Sequence, residues 1–298
     1  MLEQIKGFHI EPTNICTLKC PECARTQFIN KFSGRWSNQQ LDLEHLKSFI
    51  DIDIVGKEFT LCGNYGDPIY YNQLIELATW LKQQGAKITI ITNGSYKTRE
   101  WWAQLCSVLT LDDQILFAID GLPESFTQYR INADWASIRV GIQEAVKHTK
   151  AVWKFIPFSF NEHEIDRAKR LSVELGMHSF VLDPSDRWNT ENISTKPTNF
   201  DGPRTEHVIN WVPSIKNEIS PRCLQTHTEH FISANGYYTP CCYAADHRFY
   251  YSSDFYKNKT LYNIETTTIS KVLENLSTFF STLTEDKFKY CTFNCPKI

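Results

Sequence analysis

Between Lys6 and Leu182 six short apolar runs recur, and segments patterned as helices separate them. This alternation constrains the fold more than any other feature of the chain. Strands are expected at Lys6–Ile10, Glu58–Cys62, Lys87–Thr92, Gln114–Asp120, Val152–Phe160 and His178–Leu182. Helices are expected near Asp42–Ile50, Asn72–Gln84, Arg99–Val108, Trp135–Thr149 and Glu162–Leu175. A strand that returns through a helix to the next strand pairs with it in parallel, which predicts an α/β fold. Ile88 to Ile91 and Ile115 to Ile119 are continuously apolar or nearly so, a pattern that suits burial on both faces of a sheet. Five or six such units are too few for a closed eight-unit barrel, so a parallel sheet that does not close on itself in that way is expected. Its chemistry then belongs on loops at the carboxyl ends of the strands.

Composition narrows the function classes. The 298 residues carry 31 basic and 34 acidic side chains, a net charge of −3, so net charge gives no reason to expect a nucleic-acid partner. No apolar run approaches the roughly 20 residues that span a bilayer, and the start lacks the basic and apolar regions of a signal peptide. A cytoplasmic protein with no membrane partner is expected. Ten cysteines in such a chain point to metal or redox chemistry rather than disulfides. Cys62 and Cys106 stand apart and read as small apolar core residues.

Cys16, Cys20 and Cys23 follow the first strand with C-x3-C-x2-C spacing. Structural zinc takes four closed ligands, and no fourth cysteine lies close by. Three thiolates on a [4Fe–4S] cluster leave one iron open to another ligand. Gly63, Asn64, Tyr65, Gly66 and Asp67 form a glycine-rich turn after the second strand. Thr92 and Asn93 end the third strand, Asp120 ends the fourth, and Arg130 follows it. Towards the other end, Cys223 precedes Gly236 by twelve intervening residues, and Cys241 follows after four more. Gly236 falls in a strong hairpin signal between His230–Ala234 and Tyr237–Pro240. Cys291 and Cys295 could complete a set of four thiolates; Cys242 is a spare that could replace Cys241. Cysteine spacing alone does not select the metal, and a zinc ribbon remains the other reading of this second set.

The cysteine triad, with a strand before it and the α/β series after it, resembles the radical S-adenosylmethionine (SAM) enzymes. That resemblance implies a partial (β/α)6 barrel over residues 1–183 and a linker or active-site cover over 184–221. It also implies a small α+β extension of the twitch type over 222–298. The implied cofactors are a [4Fe–4S] cluster at Cys16, Cys20 and Cys23 coordinated with exchangeable SAM, and an auxiliary [4Fe–4S] cluster at Cys223, Cys241, Cys291 and Cys295. The resemblance further implies that Gly63 to Asp67 receive the SAM ammonium and that Thr92, Asn93 and Asp120 meet SAM, with Asp120 on the ribose. Arg130 corresponds to the arginine that pairs with the SAM carboxylate, a group that a guanidinium fork suits. Glu22 stands where the family often has an aromatic residue, and Tyr65 is a candidate to face the substrate as a catalytic group.

The reaction implied is cleavage of SAM to a 5′-deoxyadenosyl radical and abstraction of hydrogen from a small molecule or carbohydrate, with the auxiliary cluster taking the remaining electron. A flavodoxin or ferredoxin would serve as reductant. Modification of a peptide or protein side chain is the alternative; a start so close to the first core strand leaves no room for a leader-binding domain and argues against it. A non-catalytic Fe–S or zinc scaffold is the reading outside the enzyme class.

Overall fold

Each of the six expected strands forms and pairs in parallel with the one before it. The computed structural model describes residues 5–183, 185, 188–198, 223 and 230–281. Its strands are β1 Gly7–Ile10, β2 Glu58–Leu61, β3 Lys87–Thr92, β4 Gln114–Ala118, β5 Lys150–Phe155, β6 Ser179–Leu182, β7 His230–Ile232 and β8 Tyr238–Thr239. They form one sheet in the order β6-β5-β4-β3-β2-β1-β7-β8. The expected hairpin is β7 and β8, antiparallel to one another, and β7 lies parallel to β1. From β1 to β6 the strand order never reverses. Right-handed crossovers that always step the same way leave their helices on one face of a singly wound sheet.

The helices are α1 Ala24–Lys31, α2 Leu43–Phe49, α3 Leu74–Gln83, α4 Arg99–Val108, α5 Trp135–His148, α6 Ile165–Glu174, α7 His247–Tyr250, α8 Asp254–Lys257 and α9 Ile269–Ser281. Asp42, Thr98 and Asp134 cap α2, α4 and α5 by accepting from the N–H groups of His45, Trp101 and Ser137. Phe8, Ile10, Phe59, Leu61, Ile88, Ile90, Ile115, Phe117, Trp153 and Phe155 alternate along the strands and are buried in one cluster with Leu46, Leu77, Leu105 and Ile142 of the helices.

The alternate strand positions correct the expectation of burial on both faces. His9, Thr60, Thr89 and Gln114 share one register row and are only half-buried. Since the crossovers cover one face, the opposite face is left to polar side chains and to whatever enters it. Lys154, further along the same face, pairs with Asp183 at 2.7 Å.

Two local differences have simple causes. Helix α1 was not anticipated: its only buried residue is Ala24 and it has no side-chain cap, so it lacks the periodic apolar signal of the others. Strand β5 begins at Lys150 and stops at Phe155, short of Phe160, because Pro157 lacks the N–H a ladder needs. Phe158 N–H instead donates to Asn161 Oδ1 at 2.6 Å in a tight turn. At the amino edge, fully buried Asp113 accepts from Ile88 N–H at 2.7 Å and pairs with Lys82 at 2.8 Å. No helix among the described residues is long and apolar enough to cross a membrane.

Phe59 is fully buried and its ring stacks on Phe8 at 5.2 Å. Phe59→Ala is expected to cost about 3–5 kcal/mol. The check is urea denaturation, where the midpoint should fall while the slope stays unchanged.

Candidate metal and cofactor site

The loop that leaves β1 carries all three cysteines of the triad to the carboxyl edge of the sheet. Cys20 is buried, while Cys16 and Cys23 are half-buried. They share an apolar nest built by Leu18, Tyr129 and Phe158, with Ile156, Trp188 and Ile193 packed around it. Cys23 also stands at the N-terminus of α1. Burial pushes the Cys16 thiol up to about 12 and the Cys20 thiol up to about 11, and negative charge on the neighbouring cysteines adds to the cost of ionising Cys16. Left alone these are thiols; a bound cationic centre reverses that balance and takes them as thiolates. Among the described residues no three His, Cys, Asp or Glu side chains close around a single ion. The donor set, three cysteine thiols gathered in one apolar nest, suits an iron–sulfur cluster.

Two nitrogen donors face this nest. Asn93 Nδ2, from the end of β3, lies 3.7 Å from Cys16 Sγ. Arg130 Nη1 lies 3.9 Å from Cys20 Sγ.

The glycine-rich turn after β2 is tied to the same edge by Glu11, the residue that follows β1. Buried Glu11 accepts through Oε1 from the N–H groups of Tyr65 at 2.7 Å and Gly66 at 3.2 Å. Backbone N–H groups of Asn64 and Ala234 add to its donors. The turn approaches so closely that a Cβ on Gly66 would stand 1.8 Å from the Thr13 carbonyl oxygen, and one on Gly63 2.4 Å from Glu11 Oε1.

Asp67, expected at the SAM ammonium, is held by its neighbours. It is buried, and it accepts from Thr92 Oγ1 at 2.8 Å, Ile69 N–H at 3.2 Å, Asn93 N–H at 2.6 Å and Asn93 Nδ2 at 2.5 Å. Both oxygens are thus spent on ordering the ends of β2 and β3. Thr92 and Asn93 are turned inward by the same bonds. Asp120 and Arg130, both expected to meet SAM, pair with each other. Fully buried Asp120 accepts from Arg130 Nε at 2.6 Å and Ile156 N–H at 2.8 Å. Burial raises the Asp120 carboxyl while the Arg130 cation opposes that rise. An acid taken out of water needs compensating partners, and here each is the other's.

Glu22, which sequence comparison marked only as a departure, accepts from Gln27 Nε2, Asn189 Nδ2 and Asn192 Nδ2 at 2.8, 3.0 and 2.6 Å. It holds Asn189 and Asn192, both in the expected linker, against the cysteine loop. Tyr65 joins Phe28, Trp36 and His247 in a half-buried aromatic set with ring centroids 5.2 to 6.1 Å apart. Tyr65 OH accepts from His247 N–H at 2.8 Å, and His247 Nδ1 lies 3.5 Å from Asp246. Nothing local in the sequence marks His247 as Tyr65's neighbour, 182 residues away.

In the second cysteine set, Cys223 and Cys241 are buried and both act electrostatically on the Tyr238 phenol, which burial and their charge push well above its usual range. Cys242 is half-buried, and its carbonyl accepts from Asn64 Nδ2 at 2.6 Å. Cys291 and Cys295 lie outside the described residues, as does most of 184–221.

Burial raises the Glu11 carboxyl to about 7. The folded value lies above the unfolded one, so the protonated form is favoured by folding. Stability contributed by Glu11 is complete below about pH 4.5 and is lost as pH rises through about 7. Glu11→Gln in the apo-protein should therefore flatten this part of the stability–pH curve, as followed by urea midpoints from pH 4.5 to 8.

No known family model matches the chain, and no curated protein matches it. Solved structures do. SuiB of Streptococcus suis bound to S-adenosylmethionine aligns with a TM-score of 0.57 at 14% identity, over 85% of this chain and 64% of its own. The same enzyme bound to its precursor peptide SuiA aligns with a TM-score of 0.58 at 14% identity, over 81% of this chain and 60% of its own. The enzyme anSMEcpe with bound AdoMet aligns with a TM-score of 0.57 at 14% identity, over 90% and 80%. The chain thus spans less than two thirds of SuiB. These neighbours are radical SAM enzymes. The chain has the fold they share, a parallel α/β sheet.

Proposed function

We propose that the chain is a radical SAM enzyme that oxidises a small hydroxylated substrate. The observation that carries this reading is the three-cysteine nest at the carboxyl edge of a singly wound parallel sheet, reached by Asn93 just after β3 and by Arg130 from the segment between β4 and α5. When bound, a [4Fe–4S] cluster with an open iron takes SAM and supplies a 5′-deoxyadenosyl radical able to remove hydrogen from an unactivated C–H bond. Cys16, Cys20 and Cys23 hold that cluster. The Gly63–Asp67 turn, fixed by Glu11, offers backbone groups to SAM. The apolar residues Trp188 and Ile193 exclude water from the nest, which keeps a reactive centre from side reactions. The polar face of the sheet, with His9, Thr60 and the Lys154–Asp183 pair, supplies donors and acceptors for hydroxyl groups, and Tyr65 stands at its rim as the candidate catalytic group.

Residues 1–183 form the partial barrel in this reading, 184–221 its cover, and 222–298 a twitch-like extension. Cys223 and Cys241, with Cys291 and Cys295, are the proposed ligands of an auxiliary cluster that accepts the substrate's electron. Modification of a peptide is the second reading, favoured by the peptide-bound form of SuiB.

Anaerobic reconstitution tests the proposal. The chain should take up about eight irons and the Cys16/Cys20/Cys23→Ala triple variant about four. Cys241→Ala should lose the auxiliary cluster and Cys242→Ala should retain it; stoichiometric zinc in place of the second set of irons would remove the electron acceptor. With dithionite and SAM the protein should release 5′-deoxyadenosine, and Cys20→Ala should not. Absence of that product from fully loaded protein would sink the enzyme reading.

A further inference from the structure

Two buried acids at the carboxyl edge each press a nitrogen donor against a different thiol of the cysteine loop. Asp67 holds the Asn93 side chain at 2.5 Å, and the same nitrogen reaches Cys16 Sγ at 3.7 Å. Asp120 holds Arg130 Nε at 2.6 Å, and Nη1 of the same guanidinium reaches Cys20 Sγ at 3.9 Å. The two arrangements are alike in build: a buried acid, a donor, a sulfur. They differ in the donor's charge, neutral at Cys16 and cationic at Cys20.

A buried ion pair adds little net stability over an apolar replacement of the same volume. Its aim at a thiol is therefore the informative part. Hydrogen bonds and positive charge at the sulfurs of an iron–sulfur cluster stabilise its more negative, reduced state and raise its potential. Groups that orient and polarise ligands from behind act the same way at other metal sites.

We infer that Asp120–Arg130 and Asp67–Asn93 are sulfur-directed pairs that set the reduction potential of the cluster at Cys16, Cys20 and Cys23, with Arg130 the stronger. The inference rests on the functional reading above, but it assigns Arg130 and Asp120 to the cluster rather than to the SAM carboxylate and ribose. Arg130 raises the potential, and the Asp120 charge partly offsets it. Removing one or the other must then move the potential in opposite directions, which loss of structure alone would not do.

The test uses the full chain, anaerobically reconstituted, with the cluster's midpoint read by EPR-monitored titration in the absence of SAM. Iron content and circular dichroism on the same samples report loading and fold. Arg130→Gln should lower the midpoint and Asp120→Asn should raise it. Asn93→Ala should lower it by less than Arg130→Gln, and Arg130→Lys should restore part of the loss because it keeps the charge. SAM affinity, measured by equilibrium binding, should be unchanged in Asp120→Asn. If Arg130→Gln fails to load, the opposed shifts of Arg130→Lys and Asp120→Asn still decide the matter. Loaded variants with the wild-type midpoint, or with SAM binding lost and the midpoint unmoved, would overturn the inference and return both residues to SAM. Wild-type protein that takes up no four-iron cluster would instead overturn the functional reading on which it stands.

Discussion

A carboxylate taken out of water must find donors, and the carboxyl edge of this sheet buries Glu11, Asp67 and Asp120 within a few residues of the strand ends, with Glu22 close by on the cysteine loop. Their search for donors organises the loops. Glu11 draws the glycine-rich turn back over β1, Asp67 joins the ends of β2 and β3, Asp120 collects Arg130 and the end of β5, and Glu22 gathers Asn189 and Asn192. At the amino edge Asp113 does comparable work on backbone and Lys82. Buried networks of this kind are costly when incomplete. Here they fix loops that apolar packing alone would leave free to move.

The strands, their parallel pairing and the cysteine triad were legible in the sequence because each rests on local pattern. Apolar runs such as Ile88 to Ile91 announce themselves, and so does C-x3-C-x2-C spacing. Helix α1 was not legible, since it buries only Ala24 and has no capping side chain. Burial on both faces does not hold: Thr60, Thr89 and Gln114 interrupt the apolar pattern at alternate positions, and sequential strand order explains why the crossovers between β1 and β6 keep to the other face.

Site residues divided along the same line. Cys16, Cys20 and Cys23 converge because the eight residues from Cys16 to Cys23 give them little choice. The bond between Asp120 and Arg130 was not legible, because it depends on the Phe126–Gln128 turn between them, whose direction no spacing reveals. His247 and Tyr65 meet only because β7 pairs with β1 across more than two hundred residues of chain. Such contacts belong to topology, and no local motif encodes them.

The link between the two cysteine sets follows from that same pairing. β1 lies between β2 and β7, so the loop bearing Cys16 and the hairpin leading to Cys241 leave neighbouring strands on one continuous ladder. Glu11 N–H donates to the Ile232 carbonyl at 2.8 Å, Asn64 reaches the Cys242 carbonyl, and Tyr65 receives the His247 N–H. Each joint engages a backbone atom on at least one side, and a backbone atom moves less than the end of a long side chain. A site assembled on rigid elements keeps its reacting groups in register far better than one carried on free loops. The half-buried rings of Phe28, Trp36 and Tyr65 meet His247 at one of these joints, so the aromatic set is held by the same pairing of β1 with β7.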